Sequence, residues 1–157
     1  KNITTDEKKS DRELFVTRTF NAPARIVFEA WTKPELMKRW WVPKSMDMSL
    51  LSCEMDVRSG GKYRFVFGQG MEFFGRYIEV TPHSRLVWTN EEGGEDGSVT
   101  TVTFEEKGGK TLLVMSELYP SKEALDAAGT GAADATHETF EQLDELLVAL
   151  GASVGRP

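Results

Sequence analysis

The chain has 157 residues, of which 39% are hydrophobic and 28% are charged, and its formal net charge is -6. This length and composition predict one globular domain with a sizeable core. The acidic balance, without a basic cluster, argues against a nucleic-acid partner, and no apolar run is long enough for membrane insertion.

The two ends of the chain are expected to lie outside the domain. Residues 1–11 predict a flexible N-terminal tail, residues 12–150 a single domain and residues 151–157 a C-terminal tail. The start lacks the apolar stretch of a signal peptide, and the only cysteine, Cys53, excludes an internal disulfide bond. We therefore expect a cytoplasmic location.

The first third of the chain predicts one strand followed by two short helices. Residues 14–20 alternate weakly between apolar and polar side chains, and Pro23 suits the first turn of the helix that follows. Thr32 and Glu35 have the spacing of a capping box, which predicts a second short helix that ends near Arg39.

From Leu51 onward the side chains alternate with a period of two, which predicts six further strands joined by tight turns. These strands are centred on residues 51–57, 63–67, 71–80, 86–90, 102–104 and 113–117.

The facing of one of these strands is ambiguous. Phe73 and Tyr77 share one face, whereas Ile78 and Val80 share the other. A β-bulge near Gly75 would reconcile the two patterns.

The last third of the chain predicts two helices. Ser121 is expected to cap a short helix through Ala128, with Gly129 as its stop, and a long helix follows over residues 132–150. The apolar stripe of the long helix consists of Phe140, Leu143, Leu147 and Leu150. Its polar face consists of Glu138, Glu141, Gln142 and Glu145.

Antiparallel strands followed by a helix with one apolar face predict an α+β fold. We expect a curved seven-stranded antiparallel sheet wrapped on the long C-terminal helix. Two short helices lie between the first and second strands of this arrangement.

Four stretches of the sequence carry a resemblance to a known family. They are FVTRTFNAPARIVFEAWTKPELMKRWWVP at 15–43, MDVRSGGKYRF at 55–65, GRYIEVTPHSRLVWT at 75–89 and ETFEQLDELLVAL at 138–150. The element order resembles the helix-grip fold of START-domain and birch-pollen-allergen-like proteins, the SRPBCC superfamily. The four stretches are similar to its branch of activator of heat-shock protein ATPase homologues.

The resemblance implies an internal pocket between the sheet and the C-terminal helix, but it does not imply one reaction. Some relatives in the superfamily bind lipids or hormones, and a few are cyclases or hydrolases. Several relatives have a His at the end of the last strand, where this chain has Glu117. A role tied to that His is therefore not expected here.

Residue types that carry catalysis or bind metals are scattered along the chain. His83 and His137 have no metal-ligand spacing, and Cys53 lies among apolar neighbours, which predicts a buried and inert thiol. Residues 68–70 match neither a P-loop nor a dinucleotide fingerprint, and the acidic loop at 91–96 is typical of a solvated tip. We therefore expect no cofactor, no metal site and no recognisable catalytic group.

Aromatic side chains are more numerous than a thin core needs, and one helix cannot fill the whole concavity of a curved sheet. Some of them are expected to line a cavity with a few polar anchors. The expected pocket residues are Trp40, Tyr63, Phe65, Phe73, Tyr77, Trp88, Asn90, Phe104, Met115, Glu117, Phe140 and Leu143. Trp40 and Trp41 are placed beside the mouth.

Glu117 shares the inward face of its strand with Leu113 and Met115. It has three alternatives: solvation at the open end of the strand, desolvation, or pairing with a nearby basic or tyrosine side chain. The candidate partners are Arg58, Arg64, Lys62, Tyr63 and Tyr77. Pairing or desolvation would make Glu117 the polar anchor of the pocket.

Three functions remain open from the sequence. The first is a binding module for a small apolar or aromatic molecule, and the second is a cyclase or hydrolase that uses the same pocket. The third, implied by the resemblance alone, is a chaperone-associated interaction protein. A protein partner or a homodimer is compatible with each of them.

Overall fold

In the computed structural model of the protein, the described residues are 5–8, 12–46, 50–68, 72–91 and 97–154. Their strands are β1 Thr5–Lys8, β2 Glu13–Phe20, β3 Leu50–Met55, β4 Lys62–Phe67, β5 Glu72–Thr81, β6 Arg85–Thr89, β7 Val99–Lys107 and β8 Lys110–Leu118. Their helices are α1 Ala24–Thr32, α2 Pro34–Trp40 and α3 Lys122–Val154, with a 3-10 turn at Lys44–Met46.

The strands form one antiparallel sheet in the order β1-β2-β8-β7-β6-β5-β4-β3. The α+β class, the curved sheet, the long C-terminal helix and the two short helices before β3 are confirmed. The predicted seven strands are β2 to β8.

An eighth strand, β1, lies in the stretch predicted to be a tail. Thr5 pairs with Thr17 and Lys8 with Leu14, so β1 extends the sheet at the edge formed by β2. The sequence TDEK gives no apolar alternation. An edge strand needs only main-chain hydrogen bonds to one neighbour, and its charges discourage further strand pairing.

The irregularity in β5 lies at Ile78 rather than near Gly75. Tyr77 and Glu79 pair with consecutive residues of β6, so Ile78 is the extra residue, and its side chain is 52% exposed. Gly75 has a different role, because a Cβ atom there would collide with the carbonyl oxygen of Thr89. The bulge resolves the ambiguous facing, because Phe73 and Tyr77 face the core before it and Val80 packs against the core after it.

The predicted capping box between the short helices is wrong. Thr32 is the last residue of α1, and its hydroxyl donates to the carbonyl oxygen of Phe28 at 2.9 Å. The second helix begins at Pro34, whose fixed φ suits the first helical position.

The two predicted C-terminal helices are one helix, α3. Ser121 caps it as expected, since its Oγ accepts from the backbone N–H of Ala124 at 3.1 Å. The helix passes through Gly129, because one interior glycine costs only about 1 kcal/mol relative to alanine. Among the described residues, none of the helices has the length and apolarity needed to cross a membrane.

The predicted stripe of α3 packs in the core. Phe140, Leu143 and Leu147 of this stripe are buried, as is Leu146 beside it, whereas Leu150 is partly buried. The Phe140 ring meets Phe20 of β2 edge-on at 5.7 Å. The polar face is narrower than predicted, because Gln142 is only 7% exposed.

A buried arginine that the sequence analysis missed lies beneath α3. Arg18 follows Val16 and precedes Phe20 on the inward face of β2, and it is 4% exposed. Its Nη2 lies 3.3 Å from Asp144 Oδ2 on α3, and its guanidinium carbon lies 5.5 Å from the centroid of the Phe20 ring.

Candidate functional site

Six aromatic side chains form a circuit on the concave face of the sheet, between α1, which packs against β7 and β8, and α2, which packs against β3. In order around the circuit they are Trp31, Trp41, Phe65, Tyr63, Tyr77 and Trp88. Five of the six consecutive pairs have ring centroids 5.3 to 6.3 Å apart. The sixth pair, Tyr77 and Trp88, is joined as cross-strand partners. The spacings are those of edge-on and tilted aromatic pairs.

Each element places its part of the circuit by its own periodicity. Tyr63 and Phe65 are two residues apart on β4 and therefore point the same way. Phe73 and Tyr77 are four residues apart on β5, before the bulge at Ile78, and share the same face. Trp31 is presented by the end of α1, and Trp41 directly follows α2.

The circuit surrounds a small void, which we call the aromatic pocket. Met37, Phe73 and Asn90 complete its lining. The enclosed space is about 20 Å³, which is room for about one water molecule, and it grows to about 350 Å³ when the space open to solvent is counted. Trp41, Phe73 and Asn90 keep partial exposure, so the mouth lies beside them.

Two polar groups of the aromatic pocket are satisfied by the protein. The Tyr63 hydroxyl donates to the carbonyl oxygen of Thr89 at 2.6 Å. Asn90 Nδ2 donates to Thr100 Oγ1 at 2.9 Å and to Ser98 Oγ at 3.0 Å. These bonds fix the end of β6 and hold the Asn90 amide at the rim.

Two other polar groups of the aromatic pocket make no hydrogen bond within the described part of the chain. Trp31 Nε1 is buried and has no hydrogen-bond partner among the described residues. The Tyr77 hydroxyl likewise makes no hydrogen bond within the described part of the chain. Burial, with a smaller contribution from Cys53, raises the pKa of Tyr77, so its hydroxyl stays protonated.

Cys53 lies close to this site and is half-buried rather than fully buried as predicted. Burial raises the pKa of its thiol to about 11, against the smaller opposing effect of Lys38. The thiol is therefore protonated at neutral pH, in line with the expectation of an inert cysteine.

Half of the expected pocket residues line the aromatic pocket: Tyr63, Phe65, Phe73, Tyr77, Trp88 and Asn90. Five others lie in the core outside it: Trp40, Phe104, Met115, Phe140 and Leu143. Trp40 is not a rim residue, because it is 1% exposed and its Nε1 donates to the carbonyl oxygen of Ala30 at 3.0 Å.

The position of the aromatic pocket also differs from the expectation. Its lining includes no residue from the described part of α3. The stripe of α3 fills the concavity beside β2, and Phe140 packs against both Phe20 and Trp31 there. The unfilled space lies instead beside α1 and α2, which contribute Trp31 and Met37 to its lining.

Glu117, the proposed anchor, is half-buried and hydrogen-bonded. Its Oε2 accepts from the Tyr119 hydroxyl at 2.8 Å, a partner that is absent from the expected candidates. Its cross-strand neighbours are Thr100 and Leu14, which places it on the inward face but outside the lining of the aromatic pocket.

The remaining expectations concern loops and metals. His83 is exposed in a turn with φ of 68°, and its ring meets Phe28 edge-on at 5.5 Å. Most of the acidic loop, residues 92–96, and residues 69–70 lie outside the described residues. Within the described ranges, no group of three or more potential metal ligands occurs.

Comparison with known proteins assigns the chain to a family. The family model described as activator of Hsp90 ATPase homolog 1-like protein matches residues 21–148. The chain belongs to this family. It is part of the SRPBCC superfamily, so the resemblance seen in the sequence is confirmed. No match was found among curated proteins.

Solved structures similar to this family member come from several bacteria. A protein of Rhodobacter sphaeroides has 26% identity and a TM-score of 0.84 over 94% of this chain and 99% of its own. A protein of Nitrosomonas europaea has 25% identity and a TM-score of 0.81 over 92% of this chain and 99% of its own. A protein of Staphylococcus epidermidis has 28% identity and a TM-score of 0.74 over 92% and 94%.

Sequence reasoning missed two lining residues of this domain, Trp31 and Met37, and placed the third residue from this segment, Trp41, beside the mouth. A signal for Met37 was present, since Met37 and Trp41 are four residues apart and share one helical face. Their role depends on where α1 and α2 meet the sheet, which alternation patterns do not encode.

Proposed function

We propose that this domain binds a small apolar or aromatic molecule in the aromatic pocket. The observation that carries the proposal is the circuit of six aromatic side chains around space that no side chain fills. Ligand pockets are mostly apolar with a few polar groups, as this one is. The SRPBCC superfamily typically binds hydrophobic ligands, which supports the same function.

Binding requires the aromatic pocket to widen. Its enclosed 20 Å³ is far below the roughly 300 Å³ at the lower end for ligand pockets. Trp41 and Phe73 are the half-buried aromatic residues at the mouth. Outward rotation of their side chains would join the void to the open space in front of it and let a ligand stack against Phe65 and Trp88.

The enzymatic alternative finds less support. Its main candidate, Glu117, is hydrogen-bonded to Tyr119 and does not line the aromatic pocket. Cys53 has a thiol with a raised pKa, which disfavours nucleophilic attack.

Titration with N-phenyl-1-naphthylamine, an uncharged dye that fluoresces in apolar surroundings, tests the proposal. We expect saturable binding at one site. Phe73→Ala should weaken it about tenfold, because losing about 50 Å² of apolar contact at about 25 cal/mol/Å² costs about 1.3 kcal/mol.

Phe74→Ala is the matched control. Phe73 pairs with Phe65 and Phe74 with Arg64, so the two neighbouring rings lie on opposite faces of β5. The control should bind the dye as the unmodified protein does. Absence of saturable binding, or equal losses in both variants, would contradict a ligand site in the aromatic pocket.

A further inference from the structure

Two tryptophans in contact differ in how their indole N–H groups are satisfied. The ring centroids of Trp31 and Trp40 are 4.7 Å apart, and both residues are 1% exposed. Trp40 Nε1 donates to the carbonyl oxygen of Ala30, whereas Trp31 Nε1 has no acceptor among the described residues. Of the two, only Trp31 lines the aromatic pocket.

Two tyrosines of the pocket show the same contrast. The ring centroids of Tyr63 and Tyr77 are 5.7 Å apart. The Tyr63 hydroxyl donates to the carbonyl oxygen of Thr89, whereas the Tyr77 hydroxyl has no hydrogen-bond partner in the described ranges. Tyr77 is 4% exposed, and its hydroxyl is not among the fully buried polar atoms that lack a partner, so part of that exposure falls on the hydroxyl.

The two unsatisfied donors belong to the same part of the circuit. Trp88 lies between these two residues in the circuit. Its ring centroid is 5.9 Å from that of Trp31, and it is the cross-strand partner of Tyr77. An indole N–H can only donate, so the missing partner of Trp31 must be an acceptor. Buried donors without acceptors are rare because their desolvation is not compensated.

The described lining of the aromatic pocket contains no Lys, Arg, Asp or Glu. A charged carboxylate ligand would lose its hydration there without gaining a counter-charge. A neutral oxygen can accept hydrogen bonds at much lower desolvation cost. One water molecule fits the enclosed space, and a ligand oxygen that takes over its hydrogen bonds can displace it without loss.

We propose that the ligand is a neutral, largely apolar molecule that carries a carbonyl-type oxygen, which accepts hydrogen bonds from Trp31 Nε1–H and the Tyr77 hydroxyl. This inference rests on the proposed function and narrows its ligand class. The apolar body of the ligand lies among the six rings, and its oxygen lies near Trp88.

Three probes of similar shape test the ligand class: 2-acetylnaphthalene, 2-isopropylnaphthalene and 2-naphthoate. The ketone is expected to bind about tenfold more tightly than the isopropyl compound, because only the ketone satisfies the two donors. The carboxylate is expected to bind more weakly than the ketone. Calorimetric or fluorescence titration gives all three affinities.

Tyr77→Phe removes the hydroxyl and keeps the ring. It should reduce the preference for the ketone over the isopropyl compound at least threefold while leaving isopropyl binding unchanged. Tyr119→Phe is the control, because the Tyr119 hydroxyl lies outside the lining of the aromatic pocket and donates to Glu117 Oε2. That variant should leave the preference intact.

The indole N–H signal of Trp31 in a ¹H–¹⁵N spectrum provides a readout on the unmodified protein. The ketone should shift it downfield, and the isopropyl compound should not. Two results would overturn the inference and leave the proposed function standing. One is equal affinity for the ketone and the isopropyl compound, with the same ratio of affinities in Tyr77→Phe, and the other is tightest binding of the carboxylate. Failure of all three probes to bind would instead contradict the proposed function itself.

Discussion

Gln142 ties α3 to the segment that carries Trp41. Its Nε2 donates to the carbonyl oxygens of Trp40 at 3.0 Å and Val42 at 2.8 Å, and its Oε1 accepts from the backbone N–H of Lys44 at 2.8 Å. One buried amide thus satisfies main-chain groups on both sides of Trp41. This side chain fixes the edge of the aromatic pocket although it does not line it.

Gln142→Ala is expected to reduce the free energy of unfolding by about 2–4 kcal/mol, because it removes three hydrogen bonds and leaves main-chain groups unsatisfied. Urea denaturation measures the change. Glu141→Ala, an exposed neighbour on the same helix, should change it by less than about 0.5 kcal/mol. Equal effects of the two substitutions would show that the Gln142 bonds do not stabilise the fold.

Arg18 and Asp144 form a polar link between β2 and α3, with side chains 4% and 29% exposed. Asp144→Leu should destabilise the protein by about 2–3 kcal/mol, because it leaves the buried guanidinium without this carboxylate. The double variant Arg18→Met/Asp144→Leu should be more stable than Asp144→Leu alone. Thermal denaturation compares them, and a double variant that is the less stable of the two would contradict this account.

At the level of elements, α3 is held by its apolar stripe rather than by helix propensity. Leu143 is fully buried and Leu147 is 3% exposed, whereas Val148 is 67% exposed on the opposite face. Burial of the stripe is what keeps α3 continuous across the glycines in its first half.

Leu143→Ala or Leu147→Ala should each destabilise the protein by about 2–5 kcal/mol, because each leaves a cavity between α3 and the sheet. Val148→Ala removes apolar atoms from the same helix on its exposed face and should cost less than about 0.5 kcal/mol. Equilibrium denaturation of the three variants is the test. Similar losses in all three would mean that the stripe is not the packed face.

Seven strands and the stripe of α3 were predictable because each has one solvent-exposed face and one buried face. Apolar residues therefore recur at regular intervals in the sequence. β1 was not predictable, since TDEK has no such regularity and its pairing depends on the neighbouring edge. The continuity of α3 was not predictable, since glycine at a position such as Gly129 often ends a helix. Here the helix continues, with buried residues on either side at Leu125 and Phe140.

At the scale of the whole molecule, the concave face has two halves. α3 covers β2 through Phe140 on Phe20 and Asp144 on Arg18, and this half is packed. In the other half, α1 packs against β7 and β8 and α2 packs against β3, and the aromatic pocket lies between them. The inward facing of Tyr63, Tyr77 and Trp88 was predictable from alternation. The location of the pocket was not, because it depends on where each helix packs on the sheet.

A crystal structure of the protein with N-phenyl-1-naphthylamine bound tests the central claim most directly. The account predicts one dye molecule inside the circuit of six aromatic side chains, with Trp41 and Phe73 rotated outward and the core beside α3 unchanged. A dye molecule bound on the outer face of the sheet or against α3, with the aromatic pocket still closed, would contradict it.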